Sequence, residues 1–592
     1  MTKLLFDIET NGIDFSTGNW LGDVHTVYCM VVYDCDTGNI SRFYDTDGLR
    51  ELGTQGIEQG IKYLETADEL IGHNIIQFDL PVLRKLYNFK PNGRVHDTLV
   101  TSRTLYPDRV GGHSLREWGE RLGLNKADFN DFTAFSDEML RYCEQDVEVN
   151  ALLYRVLNQE LKAGDWEKAL ELEHKIADII ARQERFGFYF EREVAQKLVT
   201  EWEEEIGHLD RAVHLVIGNR VCPGGTIAKP YKINGEYARR TEQVASTYGI
   251  DLSTIAGPFS TFVYEPVNLE SKAQQKDILL ELGWKPKQTT KAGGPKLDDS
   301  IKEVGVVGEA LSKRNVLSHR RSQVQGLIDL ADQRSRVHGG ANPCGTNTGR
   351  MKHMRIVNLP RKSSPLGAEM RGLFAAPPGK ILVGYDAASL ELRILAHYIG
   401  NPEYNEKITS KDKSQDAHTL AARAAGSDDR DLGKTINYAL IYGAGDAKLG
   451  DIIGGSPEEG RNLRENLYRE IPGLGNLVDK AKSAARRGYI ITLDGRKLYL
   501  RNRVSPLNTL IQGGGAVFMK TVAVHLDELT EGLDAKKVID MHDEAQWECH
   551  PADVDALSSC INEAFARACR DLSLRCPQEA EIKVGKNWAE TH

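Results

Sequence analysis

The chain lacks a membrane anchor, a covalent framework and a surplus of positive charge. No apolar run approaches the roughly 20 residues that span a bilayer, and Met1-Thr2-Lys3-Leu4-Leu5-Phe6 passes straight into Asp7, so neither a transmembrane helix nor a secretory leader is expected. Nine cysteines are scattered without a Cys-x-x-Cys pair, which argues against structural zinc and against disulfides. Internal repeats and low-complexity tracts are missing as well. These absences predict a cytosolic protein with no membrane partner. Lys and Arg number 75 against 85 Asp and Glu, a net charge of −10 that at first sight opposes nucleic-acid binding, because such affinity rests on cations neutralising phosphates. A hydrophobic fraction of 41% with 27% charged residues describes a soluble globular chain, and 592 residues exceed what one core accommodates, suggesting about three to five units.

The charge that is present is unevenly placed. Basic residues crowd between Lys313 and Arg371, including Arg314, His319, Arg320, Arg321, Arg334, Arg336, Arg350, Lys352, Arg355, Arg361 and Lys362, a tract suited to gripping a duplex or simply to solvation. Acids gather elsewhere. In Val538 to Cys549, apolar residues run into His542-Asp543-Glu544 and a second semi-alternating run leads away, which predicts two strands with adjacent carboxylates at the bend. Lys380 to Asp386 reads as a buried strand ending on an aspartate, with a helix from Ser389 to His397 that carries Glu391 just past the turn. Carboxylates from two strands at one sheet end can hold two divalent ions about 4 Å apart and clamp the attacking and leaving oxygens of phosphoryl transfer, so Asp386 and Asp543 are candidate metal ligands.

Between these strands, Arg430, Lys434, Tyr438 and Tyr442 recur every fourth residue, forming a single helical stripe that begins basic and becomes aromatic. Such a stripe suits a nucleoside triphosphate, although a solvated Arg/Lys face with two half-buried tyrosines is the commoner fate of such a helix. Near the N-terminus, Asp7 and Glu9 lie two apart on a predicted strand and hence on one face. Asp79 follows Asn74-Ile75-Ile76-Gln77-Phe78, and Tyr142 and Asp146 stand four apart on a predicted helix. Four carboxylates and a tyrosine describe a second two-metal phosphodiester site, with water as nucleophile.

Asp386 with Ser389-Leu390-Glu391-Leu392-Arg393, the Arg430/Lys434/Tyr438 helix ending in Tyr-Gly-Ala-Gly, and His542-Asp543-Glu544 resemble motifs A, B and C of the family A DNA polymerases, in order. Thr348-Gly349-Arg350, Leu493-Asp494-Gly495-Arg496-Lys497, Leu507 to Gln512 and Asn587-Trp588-Ala589 are similar to the replicative enzymes of T-seven-type bacteriophages. The N-terminal acids resemble the Exo motifs of DEDDy 3′–5′ proofreading exonucleases, supported by His73-Asn74, Asp97 and Gly112-His113-Ser114-Leu115. The resemblance implies a multidomain α/β and α+β fold: an RNase H-like exonuclease domain over 1–165, a thumb over 166–337 with an inserted loop at about 217–266, a palm made of 338–391 and 506–592, and fingers over 392–505.

By the same resemblance, Asp386, Asp543 and the carbonyl of Ala387 hold two Mg(II) ions, while Asp7, Glu9, Asp79 and Asp146 hold two more beside Tyr142. Arg430, Lys434 and His418 meet the triphosphate, with Lys434 placed to protonate the leaving group. Tyr438, Tyr442 and Glu391 meet sugar and base, and Glu544 orients the primer end or a bound water. Arg350, Gln512 and His542 meet the primer terminus. Implied partners are primer-template DNA, dNTPs, a replicative helicase-primase and a single-strand-binding protein. The 217–266 stretch stands where T-seven-type enzymes carry a thioredoxin-binding insertion, but it is shorter and does not match in sequence, which puts a thioredoxin-type processivity factor in doubt. Two competing functions remain: a bacterial-type repair polymerase, and a nuclease with a nucleic-acid-binding C-terminal module.

Overall fold

The computed structural model describes residues 1–13, 20–45, 56–124, 128–290, 292–412, 414–501 and 506–592, leaving aside the side chains of 222–224 and 263. The expected junction at 505/506 therefore touches residues outside the described ones. Contacts divide the chain into two units, Met1–Glu191 with Leu330–His592, and Arg192–Asp329.

The larger unit begins with a five-stranded mixed sheet of β1 (Lys3–Thr10), β2 (Val27–Asp34), β3 (Ile40–Tyr44), β4 (Glu69–Gly72) and β5 (Arg94–Asp97), ordered β3-β2-β1-β4-β5. Around it lie α1 (Ile57–Leu64), α2 (Asp79–Tyr87), α3 (Thr98–Leu105), α4 (Leu115–Leu122) and α5 (Asp137–Leu161). Both faces of β1 are covered, and the run Leu4-Leu5-Phe6 accordingly sends apolar side chains to each. Leu4, Phe6 and Ile8 pack with Ile57, Ile61, Leu64 and Leu80, whereas Leu5 packs with Met139, Cys143 and Val147 of α5. Strand parity then puts Asp7 and Glu9 on the α5 side, the side from which Tyr142 and Asp146 come.

A second sheet is wholly antiparallel, in the order Ala535–Met541, Glu544–Cys549, Ile381–Ala387, Ala580–Gly585. Val383, Tyr385 and Ala387 enter a core with Phe518, Leu526, Leu557 and Phe565, so Leu382, Gly384 and Asp386 take the opposite face. The C-terminal helix Trp588–Thr591 packs against that face, and a Cβ at Gly384 would stand 2.8 Å from the Thr591 Cβ, closer than real side chains approach. The helix Arg430–Ile441 packs against Ala417–Ala424.

The smaller unit contains the helices Arg192–Ile217, Lys272–Glu281 and the body of Val306–Leu330 around Val213, Leu269, Leu279, Trp284 and Leu311, and also the helix Arg239–Tyr248. It is narrower than the 166–337 expected for the thumb. Helix α6 (Glu167–Phe186), which the resemblance had placed in the thumb, belongs to the larger unit by its contacts and packs on the long helix Pro506–Leu529 through Ile176, Ile179, Ile180, Ala523 and Val524. The expected loop at 217–266 is ordered structure: antiparallel strands Asn219–Ile227 and Phe259–Pro266 flank the helix Arg239–Tyr248. Gly and Pro in that stretch mark turns and a bulge rather than an irregular segment.

Glu173 of α6 is fully buried and accepts from Arg496 Nη1 at 2.5 Å and Lys520 Nζ at 2.5 Å, while Lys520 also donates to the Gly349 carbonyl at 2.8 Å. A carboxylate far from water tolerates its charge only with such partners. Glu173→Gln should therefore cost about 3–5 kcal/mol, read as a lowered denaturation midpoint of the larger unit; an unchanged midpoint would mean that Arg496 and Lys520 find other counterions.

Candidate active sites

The first site forms where the hairpin turns between Met541 and Glu544. The turn places His542 at φ 62°, a left-handed conformation that side-chain-bearing residues seldom adopt and that tends to be retained at functional positions. Glu544 lies directly across from Asp386, and the Ala387 N–H donates to the Asp543 carbonyl at 2.9 Å. Residues directly opposite on a sheet share a face with Cβ atoms roughly 5 Å apart, so two acids there repel. Burial first, then the charges of Asp543 and Glu544, push the Asp386 carboxyl up to about 7. This set fits a divalent cation, whose charge offsets the repulsion.

A prediction follows from the sign of that shift. Native Asp386 binds its proton more tightly than the unfolded chain does, so the metal-free protein loses stability through this group as pH rises from about 4 to about 7. Asp386→Asn should remove that loss, raising the metal-free melting midpoint at pH 8 but not at pH 4. In a background lacking Asp7 and Glu9, added Mg(II) should stabilise the protein carrying Asp386 but not the asparagine variant. Equal Mg(II) stabilisation of both would exclude Asp386 as a ligand.

Glu544 is held differently. Trp588 Nε1 donates to one of its oxygens, His592 Nδ1 lies 2.6 Å from the other, and Arg371 Nη1 stands 3.7 Å away. Burial opposes its charge, but His592, Arg371 and Trp588 together hold its carboxyl below the usual range. The C-terminal helix thus fixes the orientation of Glu544. Asp543, by contrast, is exposed at the turn.

The predicted stripe is present on the helix Arg430–Ile441, with Tyr442 as its exposed C-cap. Tyr438 is half-buried; burial, then the charges of Glu391, Asp543, Tyr442 and Asp386, push its phenol up. Lys434 is exposed, and it acts with Arg430 on the charge of buried His418. Arg430 is engaged by Asp416, which caps the helix Ala417–Ala424 and accepts from Arg430 Nε at 2.8 Å. Arg350 Nη2 donates to Glu391 at 2.7 Å, and Gln512 lies half-buried one turn ahead of Gly515 and Ala516, which line a crevice with Arg350, His542 and Asp543.

Much of the basic tract is structurally committed. Arg336 binds Glu548 at 2.9 Å, Arg371 is buried over the Trp588 ring at 4.6 Å, and Arg314 is buried against Asp210 at 2.6 Å. Composition does not separate such pairs from free cations.

The second site is a cavity of about 620 Å³ lined by Asp7, Glu9, Asp79, Tyr142 and Asp146 together with His73, Arg103, His113, Glu184 and Arg355. Ligand atoms of Asp7, Glu9 and Cys143 lie within 4.8 Å of one another, which fits a cation held by the two carboxylates, with the thiol behind them. Asp79 is buried and accepts from the Ile8 N–H at 3.3 Å; burial, then the charges of Asp97 and Asp146, raise its carboxyl strongly. Asp97 serves the backbone instead, accepting from the N–H groups of Asn74, Ile76, Leu99 and Val100. Sequence reading missed Asp416, Cys143, Glu184 and His592. Only His592 left a local trace, four residues after Trp588 in the terminal motif.

The sequence model of DNA polymerase family A matches residues 238–590. A DNA-directed DNA polymerase of Enterobacteria phage T3 is 28% identical over the whole of both chains, and that of Escherichia phage T7 is 27% identical over the same span. DNA polymerase I of Synechocystis sp. is 24% identical across 87% of this chain and 52% of its own length. The polymerase domain of Pol1 from M. smegmatis, solved with DNA primer-template and dNTP, superposes with a TM-score of 0.76 at 18% identity, covering 99% of this chain and 96% of that one. Among the described residues, no helix is long and apolar enough to cross a membrane.

Proposed function

The chain belongs to DNA polymerase family A, and from that premise we propose that it is the replicative, template-directed DNA polymerase of a T7-type bacteriophage, working in the host bacterial cytosol with its own 3′–5′ editing nuclease. The observation that carries the synthetic half is the carboxylate set at one sheet end, where Asp386 lies across from Glu544 and the Ala387 N–H donates to the Asp543 carbonyl at 2.9 Å. Whole-chain matches to two phage enzymes at 27–28% identity support the replicative reading.

Residues 338–391 and 506–592 serve as palm, 392–505 as fingers, the smaller unit as thumb and 1–165 as editing domain. Family A polymerases use divalent ions; here two Mg(II) ions would be held by Asp386, Asp543 and the Ala387 carbonyl, supplying acidity to the primer hydroxyl and charge to the leaving pyrophosphate. Arg430, Lys434 and His418 bind the triphosphate, and Lys434 delivers a proton to the departing pyrophosphate. Glu544, clamped by Trp588 and His592, orients the primer end. Asp7, Glu9, Asp79 and Asp146 would hold two ions at the editing site, where Tyr142 orients the attacking water. A helicase-primase and a single-strand-binding protein are the partners this role calls for. The ordered ribbon at 219–266 exposes Val221, Phe262 and Tyr264, a surface open to a processivity factor of unspecified kind.

Arg350 leaves Glu391 on DNA binding and, with Gln512 and beside His542, donates into the minor groove at the primer terminus. Every correct pair presents an acceptor there, so the two donors test geometry without reading sequence. Arg350→Ala or Gln512→Ala should slow extension and reduce discrimination against a mismatched end by about tenfold, as expected for one lost hydrogen bond to a positioned acceptor. Unchanged mismatch extension in both variants would remove the role.

A further inference from the structure

One short segment reaches both sites. Arg350 meets Glu391 beside the synthetic carboxylates, the His353 ring stands edge-on to His542 at 5.0 Å, and Arg355 lines the editing cavity with Asp7, Glu9, Asp79 and Asp146. Between them Lys352 and Met354 are exposed. Five residues of chain reach at most about 18 Å, so the segment carries a cation to each site, Arg350 and Arg355, with the exposed Lys352 between them. Arg355 adopts φ 63°, a left-handed conformation kept where its side chain enters the cavity. Its Nη1 donates to Glu184 at 2.6 Å and to the His338 carbonyl at 3.0 Å, and Glu184 also accepts from Gln77 Nε2 at 2.9 Å.

We propose that Arg350–Arg355 is the track along which a frayed 3′ DNA strand passes from the synthetic site to the editing cavity, with Arg355 as the phosphodiester contact at the cavity. The inference rests on reading the second site as an editing nuclease. Guanidinium suits a phosphate in charge and in fork geometry. Glu184 competes with that phosphate, which makes the contact exchangeable, as a strand in transit requires. The plainer alternative is a structural pair holding the segment to α6.

The two readings differ in sign. Excision of a mismatched primer end from primer-template, and of the same oligonucleotide alone, is measured in single turnovers over a range of salt, beside each variant's melting midpoint. Arg355→Gln should slow excision about tenfold and reduce the salt slope of strand binding by about 1, while Arg355→Lys keeps the slope. Glu184→Gln removes the carboxylate that competes with the strand for Arg355 and should tighten binding of the single-stranded oligonucleotide. A structural pair would make Glu184→Gln and Arg355→Gln fall together in midpoint and in excision, which overturns the proposal, as would an unchanged salt slope in Arg355→Gln. If the wild type degraded neither substrate, the editing reading itself would fail, an outcome distinct from wild-type degradation that the variants leave untouched.

Discussion

Asp386→Ala or Asp543→Ala should lower nucleotide addition by at least on the order of 10³-fold while leaving single-strand degradation intact. The expected size follows from losing a ligand of ions that each supply several kcal/mol of charge stabilisation. The expected independence follows from the fold: Asp386 belongs to the antiparallel sheet, whereas Asp7 and Glu9 belong to β1 of the mixed sheet and face α5. Asp7→Ala with Glu9→Ala should accordingly abolish degradation and spare synthesis. Loss of both activities from either change, in protein that still melts cooperatively, would show that the two carboxylate sets are not separate centres.

Tyr438→Phe should raise discrimination against dideoxynucleotides by on the order of 10²-fold, with normal incorporation little changed. On the proposed role, the half-buried ring and the stem of Glu391 would exclude a ribose 2′-hydroxyl, and phenylalanine would keep that exclusion. The phenol does more. On the proposed role it would donate to the triphosphate in place of the 3′-hydroxyl that a dideoxynucleotide lacks, and a site built around one hydrogen-bonding group discriminates strongly once that group is gone. The ratio of ddNTP to dNTP incorporation efficiency in the two proteins decides it; equal ratios would remove the role of Tyr438 and the helix register on which it depends.

What the sequence disclosed was local. Asp386 at a strand end, Asp543 and Glu544 at a bend, the four-residue stripe and the same-face pair Asp7/Glu9 each follow from a periodicity of 2 or 3.6, and those periods are set by the backbone. What it concealed was long-range pairing. Nothing near Glu173 announces that its partners are Arg496 and Lys520, and nothing near Arg430 announces Asp416. The packing partner of α6 was hidden for a related reason: an apolar helical face states that burial is needed but not against what, and its partner is the distant helix Pro506–Leu529. The basic tract misled because a cation count is blind to carboxylates arriving from elsewhere, such as Glu548 on Arg336.

Central to the account is that the Asp386/Asp543 centre joins a deoxynucleotide to a primer under the direction of a template. Purified protein with Mg(II), a labelled primer annealed to a template of known sequence, and the four dNTPs supplied one at a time provide the most direct measurement. Extension by one residue is expected only with the dNTP complementary to the first template base, and full-length product with all four. Shortening of the primer with no extension under any nucleotide would contradict it, and would leave a nuclease carrying a DNA-binding module in its place.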